Sequence, residues 1–97
     1  MRLGIIGAGA IGNVHAETAT RAGIPILGCW DVNPAKGEAF GRRHSGAKVC
    51  GSVQELLAMR DIDAVVVAVP NVSHAQVACQ ALEAGKCVFL EKPMAMS

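Results

Sequence analysis

Gly7-Ala8-Gly9-Ala10-Ile11-Gly12 decides how this chain is read. It follows an apolar run, Leu3-Gly4-Ile5-Ile6, and opens a helical pattern that continues to Ala22. A glycine-rich turn between a buried strand and a helix makes a phosphate cradle. The first backbone N–H groups of the helix, including those of Ala10 and Ile11, lack intrahelical partners and face an anion together with the positive end of the helix dipole. Gly7 permits the tight turn, Gly9 lets a pyrophosphate approach bare backbone, and Gly12 lets the helix lie close to the strand.

Glycines in this pattern also occur in ordinary flexible loops, so the second half of the fingerprint matters. It requires a second strand ending in an acid about 20 residues on. Ile26-Leu27-Gly28-Cys29-Trp30 reads as that strand and Asp31 ends it. A carboxylate there accepts hydrogen bonds from both adenosine ribose hydroxyls and repels a 2′-phosphate. The residues after it are Val32, Asn33 and Pro34, with no Arg beside it. The expected cofactor is therefore NAD, with NADP disfavoured. Reading Asp31 as a solvated turn residue leaves its spacing unexplained.

Outward from this core, apolar runs alternate with helical patterns. Arg2 to Ile6 is a strand, Ala10 to Ala22 a helix stopped by Gly23, and Pro25 to Trp30 the second strand. Asn33-Pro34 is an N-cap followed by a first helical residue, and this helix runs to about His44 despite Gly37 and Gly41. Ala47 to Cys50 is a short strand near the sheet edge. Ser52-Val53-Gln54-Glu55 is a capping box that starts a helix ending near Met59. Ala64 to Val69 is the most β-branched run and belongs at the centre of the sheet. Ser73 to Ala84 is helical, with Val77, Ala78, Ala81 and Leu82 at core spacing, and Cys87 to Leu90 is the fifth strand. The expected fold is α/β: a doubly wound, Rossmann-like parallel sheet of five strands in the order 3-2-1-4-5, ending before a sixth. Met94-Ala95-Met96-Ser97 resembles the start of the next helix.

Composition agrees. A chain of 97 residues, 52% hydrophobic and 18% charged, makes one small globular domain. Its wealth of small and branched apolar residues, with few aromatics, suits a parallel sheet buried on both faces. A formal net charge of +1 gives no electrostatic case for nucleic acid or an anionic membrane. No run approaches the ~18 apolar residues of a membrane span. Met1-Arg2-Leu3 looks like a minimal secretion signal, but the apolar run after it is short and interrupted by glycines. The cysteines Cys29, Cys50, Cys79 and Cys87 contain no C-x-x-C pair. They read as buried thiols of a reducing, cytoplasmic compartment, neither a zinc site nor a disulfide framework.

Three further positions bear on chemistry. Val69-Pro70-Asn71 ends the fourth strand at the carboxyl edge of the sheet, where open α/β folds bind ligands. Asn71 either hydrogen-bonds the cofactor or caps the following helix. His74, in that helix's first turn, either touches cofactor or substrate or is a helix-end polar residue. Glu91-Lys92-Pro93 places a charged pair directly after a buried strand. Lys92 either steadies the alkoxide formed as a hydride leaves a hydroxyl-bearing carbon or joins a surface ion pair.

Together, Gly7 to Gly12, Asp31, Val69-Pro70-Asn71 with His74, and Ala84-Gly85-Lys86 leading to Glu91-Lys92-Pro93 resemble the N-terminal part of the Gfo/Idh/MocA oxidoreductases. The resemblance covers the whole chain. It implies hydride transfer between NAD(P) and a hydroxyl carbon of a sugar, inositol or related polyol. It also makes Lys92 the catalytic residue beside the nicotinamide, with Glu91 and Pro70 shaping the cofactor site. Cys87 stands where the family often has histidine, which reads as a packing change. The family's second domain, which chooses the substrate, has no counterpart in residues 1–97, so these residues are expected to be an incomplete N-terminal part that is inactive alone. The rival expectation is a stand-alone, non-catalytic NAD-binding module. The outer edge of the fifth strand lacks a partner in this reading, so a homo-oligomer is expected.

Overall fold

The computed structural model describes residues 1–44, 46–68 and 71–90. The element order is β1 (Leu3–Ile6), α1 (Ala10–Arg21), β2 (Ile26–Trp30), α2 (Pro34–Arg43), β3 (Lys48–Val49), α3 (Val53–Leu57), β4 (Ala64–Val67), α4 (Asn71–Glu83) and β5 (Cys87–Leu90). The five strands form one parallel sheet in the order β3-β2-β1-β4-β5. This is the doubly wound topology expected, with the order reversing between β1 and β4.

The central strands are buried along their whole length. Because side chains alternate across a strand, consecutive apolar residues feed two separate cores. Ile5 and Val66, in register, pack with Ala16, Ala19, Cys29 and Phe40 under α1 and α2. Ile6, Val65 and Val67 pack with Leu56, Ile62 and Ala81 under α3 and α4. The near-continuous β-branched run thus reflects burial on both faces.

Local signals set the helix ends. After α1, Gly23 takes φ +80°, its N–H bonds to Thr20 O, and Ile24 N reaches Ala19 O at 2.9 Å. Gly85 repeats this after α4, with Lys86 N bonded to Ala81 O at 3.0 Å. Both are left-handed glycine stops that satisfy the last carbonyls. Asn33 Oδ1 accepts from Ala35 N at 2.9 Å ahead of Pro34, and Ser52 Oγ accepts from Glu55 N at 3.0 Å. The capping box is modified: the Glu55 carboxylate reaches Gly51 N at 2.9 Å, one residue before the cap. Gly41 persists in α2 because a Cβ there would press on Val49 of the neighbouring strand.

Several expectations need correction. β3 shrinks to two exposed residues at the sheet edge. α4 begins at Asn71, not Ser73, so Asn71 lies inside the helix. Leu82 is 61% exposed while Val77, Ala78 and Ala81 are buried. It lies about 100° round the helix from Ala81, past the edge of a narrow stripe of small residues. Cys29 and Cys50 are buried as expected, but Cys79 and Cys87 are exposed. On β5, Cys87 and Phe89 share the face of the α1 side. Among the described residues α1 packs mainly on β1, β2 and β4, and both side chains stay open.

Lys86 is the buried charged residue among those described. Its Nζ donates to Met59 O at 2.8 Å and Ile62 O at 2.7 Å, tying the end of α3 and the turn into β4 to the start of β5. Lys86→Met keeps the apolar stem but leaves both carbonyls unpaired. Urea unfolding is expected to show a loss of about 1–3 kcal/mol. A loss indistinguishable from zero would mean that water serves those carbonyls equally well.

Candidate functional site

The β1–α1 turn is built as the glycine pattern requires. Gly7 takes φ +104° and its N–H donates to Trp30 O at 2.7 Å, so the turn springs from the β2 side of the sheet. A Cβ on Gly12 would collide with the carbonyl oxygen of Gly7. A Cβ on Gly9, in contrast, would meet no protein atom within 4 Å. Gly9 is therefore dispensable for packing, and its missing side chain leaves open space over bare backbone. Gly9 is the N-cap of α1 and offers no side-chain cap, so the first N–H groups of the helix stay available.

Asp31 is joined to this turn. Its Oδ2 accepts from Ala8 N at 2.7 Å, and its Oδ1 accepts from Asn33 N at 2.7 Å. A carboxylate has about four acceptor positions, so one remains on each oxygen. A ribose diol needs two such acceptors. Gly7, Gly9, Ala10, Ile11, Gly12 and Asp31 are thus brought together at the carboxyl edge of β1 and β2.

Two hollows flank this junction. One, of about 290 Å³, lies between the turn and α2 and is lined by Ala8, Gly9, Asn13, Lys36, Phe40 and Arg43. The other, of about 330 Å³, lies between the ends of β2 and β3 and is lined by Trp30, Asp31, Val32, Pro34, Cys50 and Gly51. Sequence reasoning missed Asn13, Lys36, Arg43 and His44. Asn13 was legible in principle, because it lies one helical turn after Gly9 and so faces the cradle. The other three depend on how α2 crosses α1, which no local pattern encodes.

The Asn13 Nδ2 donates to Gly9 O at 3.0 Å and Ala8 O at 3.2 Å, and His44 Nε2 lies 2.9 Å from Asn13 Oδ1. Burial, then the Arg43 charge, holds the His44 imidazole below its usual range, and Glu17 opposes them. Burial also pushes the Cys29 thiol up to about 11 and raises Cys50, so neither is a thiolate nucleophile at neutral pH. Among the described residues no three His, Cys, Asp or Glu side chains are grouped to hold a metal ion. None of the described helices is long and apolar enough to cross a membrane.

The other candidates lie at the same edge in sequence. Asn71 and His74 fall in the first turn of α4, directly after β4. Their side chains lie outside the described residues, as do Pro70, Glu91 and Lys92.

A doubly wound sheet, a glycine cradle at the first turn and an acid at the end of β2 define a dinucleotide-binding domain. Comparison with known proteins gives its family. Residues 1–97 match the model of the Gfo/Idh/MocA oxidoreductase family, described as an NAD-binding Rossmann fold, and the chain belongs to that family. It is 37% identical over 97 residues to an inositol 2-dehydrogenase of Acidothermus cellulolyticus, covering 98% of this chain and 28% of that protein. A putative NADPH-dependent oxidoreductase of Desulfitobacterium hafniense superposes with a TM-score of 0.88 at 32% identity, over 99% of this chain and 28% of the other. GenD2 of gentamicin A biosynthesis, solved with NAD, superposes with a TM-score of 0.90 at 33% identity, over 100% and 28%. The chain thus spans a little over a quarter of the length of these relatives.

Gly9→Ala separates folding from binding. The thermal midpoint is expected to stay within a few degrees of the parent, because the added Cβ meets no protein atom. Dinucleotide affinity, read by calorimetry, is expected to fall at least about tenfold through crowding of the bare-backbone approach. Unchanged affinity would place the pyrophosphate away from Gly9.

Proposed function

We propose that residues 1–97 form the NAD-binding part of an oxidoreductase that moves a hydride between NAD and a hydroxyl-bearing carbon of a sugar, inositol or related polyol. The observation that carries this reading is the junction of the Gly7–Gly12 turn with Asp31, which leaves two carboxylate acceptor positions for a ribose diol. When bound, the nicotinamide supplies the hydride acceptor. The α1 N–H groups would hold the pyrophosphate. Asp31 would hold the adenosine ribose, and the Val32–Cys50 hollow would take the adenine. Asn71 and His74, at the start of α4, would line the nicotinamide side with Pro70 and Glu91.

Lys92 is the proposed catalytic residue. In the oxidising direction the substrate loses a hydride from carbon and a proton from its hydroxyl. A lysine at that oxygen steadies the negative charge that develops and serves as a station for the proton. Residues that choose the substrate are proposed to lie outside 1–97, in the region the relatives possess beyond the matched part. Surface thiols at Cys79 and Cys87 fit a reducing, cytoplasmic setting, and the exposed Leu82 and Phe89 beside β5 fit a homo-oligomer.

One observation favours a second reading. Lys36 and Arg43 line the hollow on the other side of the turn and could receive a 2′-phosphate. Asp31 opposes this, since its charge stands at the ribose position. Steady-state kinetics of the full-length enzyme that carries residues 1–97, with each cofactor, decide between the two. NAD is expected to be preferred, and Asp31→Ala to narrow the preference. Equal or better use of NADP by the parent would establish the second reading. In the same assay Lys92→Ala is expected to lower kcat by about 10²–10⁴-fold with little change in NAD affinity. A near-normal kcat would return Lys92 to a surface ion pair.

A further inference from the structure

We propose that Asn13 and His44 form a positioning pair that holds the phosphate cradle in its binding conformation, an inference that rests on the dinucleotide reading above. The Ala8–Gly9 segment is held on two sides. Ala8 N is bound to Asp31, while Ala8 O and Gly9 O both accept from the Asn13 side-chain amide, and Gly9 O also takes the first helical bond from Asn13 N at 3.0 Å. In a trans peptide the C=O and the following N–H point in opposite directions. Holding Ala8 O and Gly9 O on the Asn13 side therefore aims the N–H groups of Gly9 and Ala10 the other way. It also keeps the Ala8 carbonyl oxygen from turning toward a phosphate, where like partial charges would repel it.

Asn13 can do this in one orientation only. Its two N–H donors face two carbonyl oxygens, and the flipped amide would set oxygen against oxygen. Oδ1 must then face His44, and the His44 Nε2 must carry the hydrogen of that 2.9 Å contact. His44 so fixes the rotamer of Asn13 without touching the cradle. The end of α2 is itself anchored for this purpose. The Phe40 and His44 rings pack with centroids 4.3 Å apart, and Arg43 Nη2 reaches Glu17 Oε2 of α1 at 2.9 Å. His44 acts through Asn13, and Asn13 acts through the backbone of the turn.

The test compares ADP, which carries a diphosphate, with adenosine, which carries none, by calorimetry on the protein and three variants. Asn13→Leu preserves shape and removes both donors. It is expected to weaken ADP about tenfold, the worth of one or two hydrogen bonds, with adenosine unchanged within about twofold of the parent. His44→Phe keeps the ring packing and removes the donor, and is expected to weaken ADP about threefold. His44→Gln supplies an N–H again and is expected to restore ADP binding to within about twofold of the parent. A merely structural pair would lower the affinity for ADP and adenosine alike, and that result overturns the proposal. So does an Asn13→Leu protein of parental thermal stability with unchanged ADP affinity. If Asn13→Leu does not fold, the two His44 variants decide, and equal affinities in them overturn it. A parent that binds neither ADP nor NAD refutes the dinucleotide reading itself, and the pair loses its role with it.

Discussion

One hydrogen bond, from Ala8 N to Asp31 Oδ2 at 2.7 Å, joins the first crossover of the fold to the end of its second strand. It spans the carboxyl ends of β1 and β2, beside the point between β1 and β4 where the strand order reverses and a doubly wound sheet binds its ligand. Without it the turn after β1 would meet β2 only through the backbone bond from Gly7 N to Trp30 O, and the Asp31 side chain would be free of it. With it they are one surface, in which the helix end supplies donors and the carboxylate supplies acceptors. The bond persists because the sheet beneath it is fixed: Ile6 pairs with Trp30 on one side and Val67 on the other, and Gly7 N continues the ladder to Trp30 O.

The sheet order follows from burial. β1 and β4 are apolar on both faces and accept neighbours on both edges, whereas β3 is two exposed residues and can only end the sheet. β1 sits between β2 and β4, so the chain returns to the middle of the sheet after its first three strands. That return opens the crevice above the carboxyl ends. The same topology leaves β5 covered by α4 on one face, while α1 packs mainly on β1, β2 and β4 and Phe89 and Cys87 stay exposed on the other.

What sequence could disclose was local. The Gly7–Gly12 turn, the Asn33-Pro34 start of α2, the Ser52 cap and the Gly23 and Gly85 stops each depend on a few neighbouring residues, and each is found in place. The place of Asp31 at the end of β2 was readable from spacing, but its bond to Ala8 was not, because it links residues 23 apart in sequence. Helix crossings were opaque. Leu82 has core spacing yet lies beyond the stripe that α4 buries, and His44 meets Asn13 across 31 residues because α2 passes over the start of α1. Lys86 was read only as part of a family motif, although two backbone carbonyls account for its burial. The start of α4 was misplaced because Pro70-Asn71 resembles a break, whereas the helix already begins at Asn71.

The central claim is that the Gly7–Gly12 turn and Asp31 act as one dinucleotide-binding surface. It is tested most directly by titrating ¹⁵N-labelled protein with NAD and following each backbone amide. The largest shifts are expected at Gly9, Ala10, Ile11 and Gly12 and at the residues that follow β2, saturating together with one affinity. Shifts confined to the opposite edge of the sheet, around Arg2, Asp63 and Lys86, or no saturable shift at all, would contradict it.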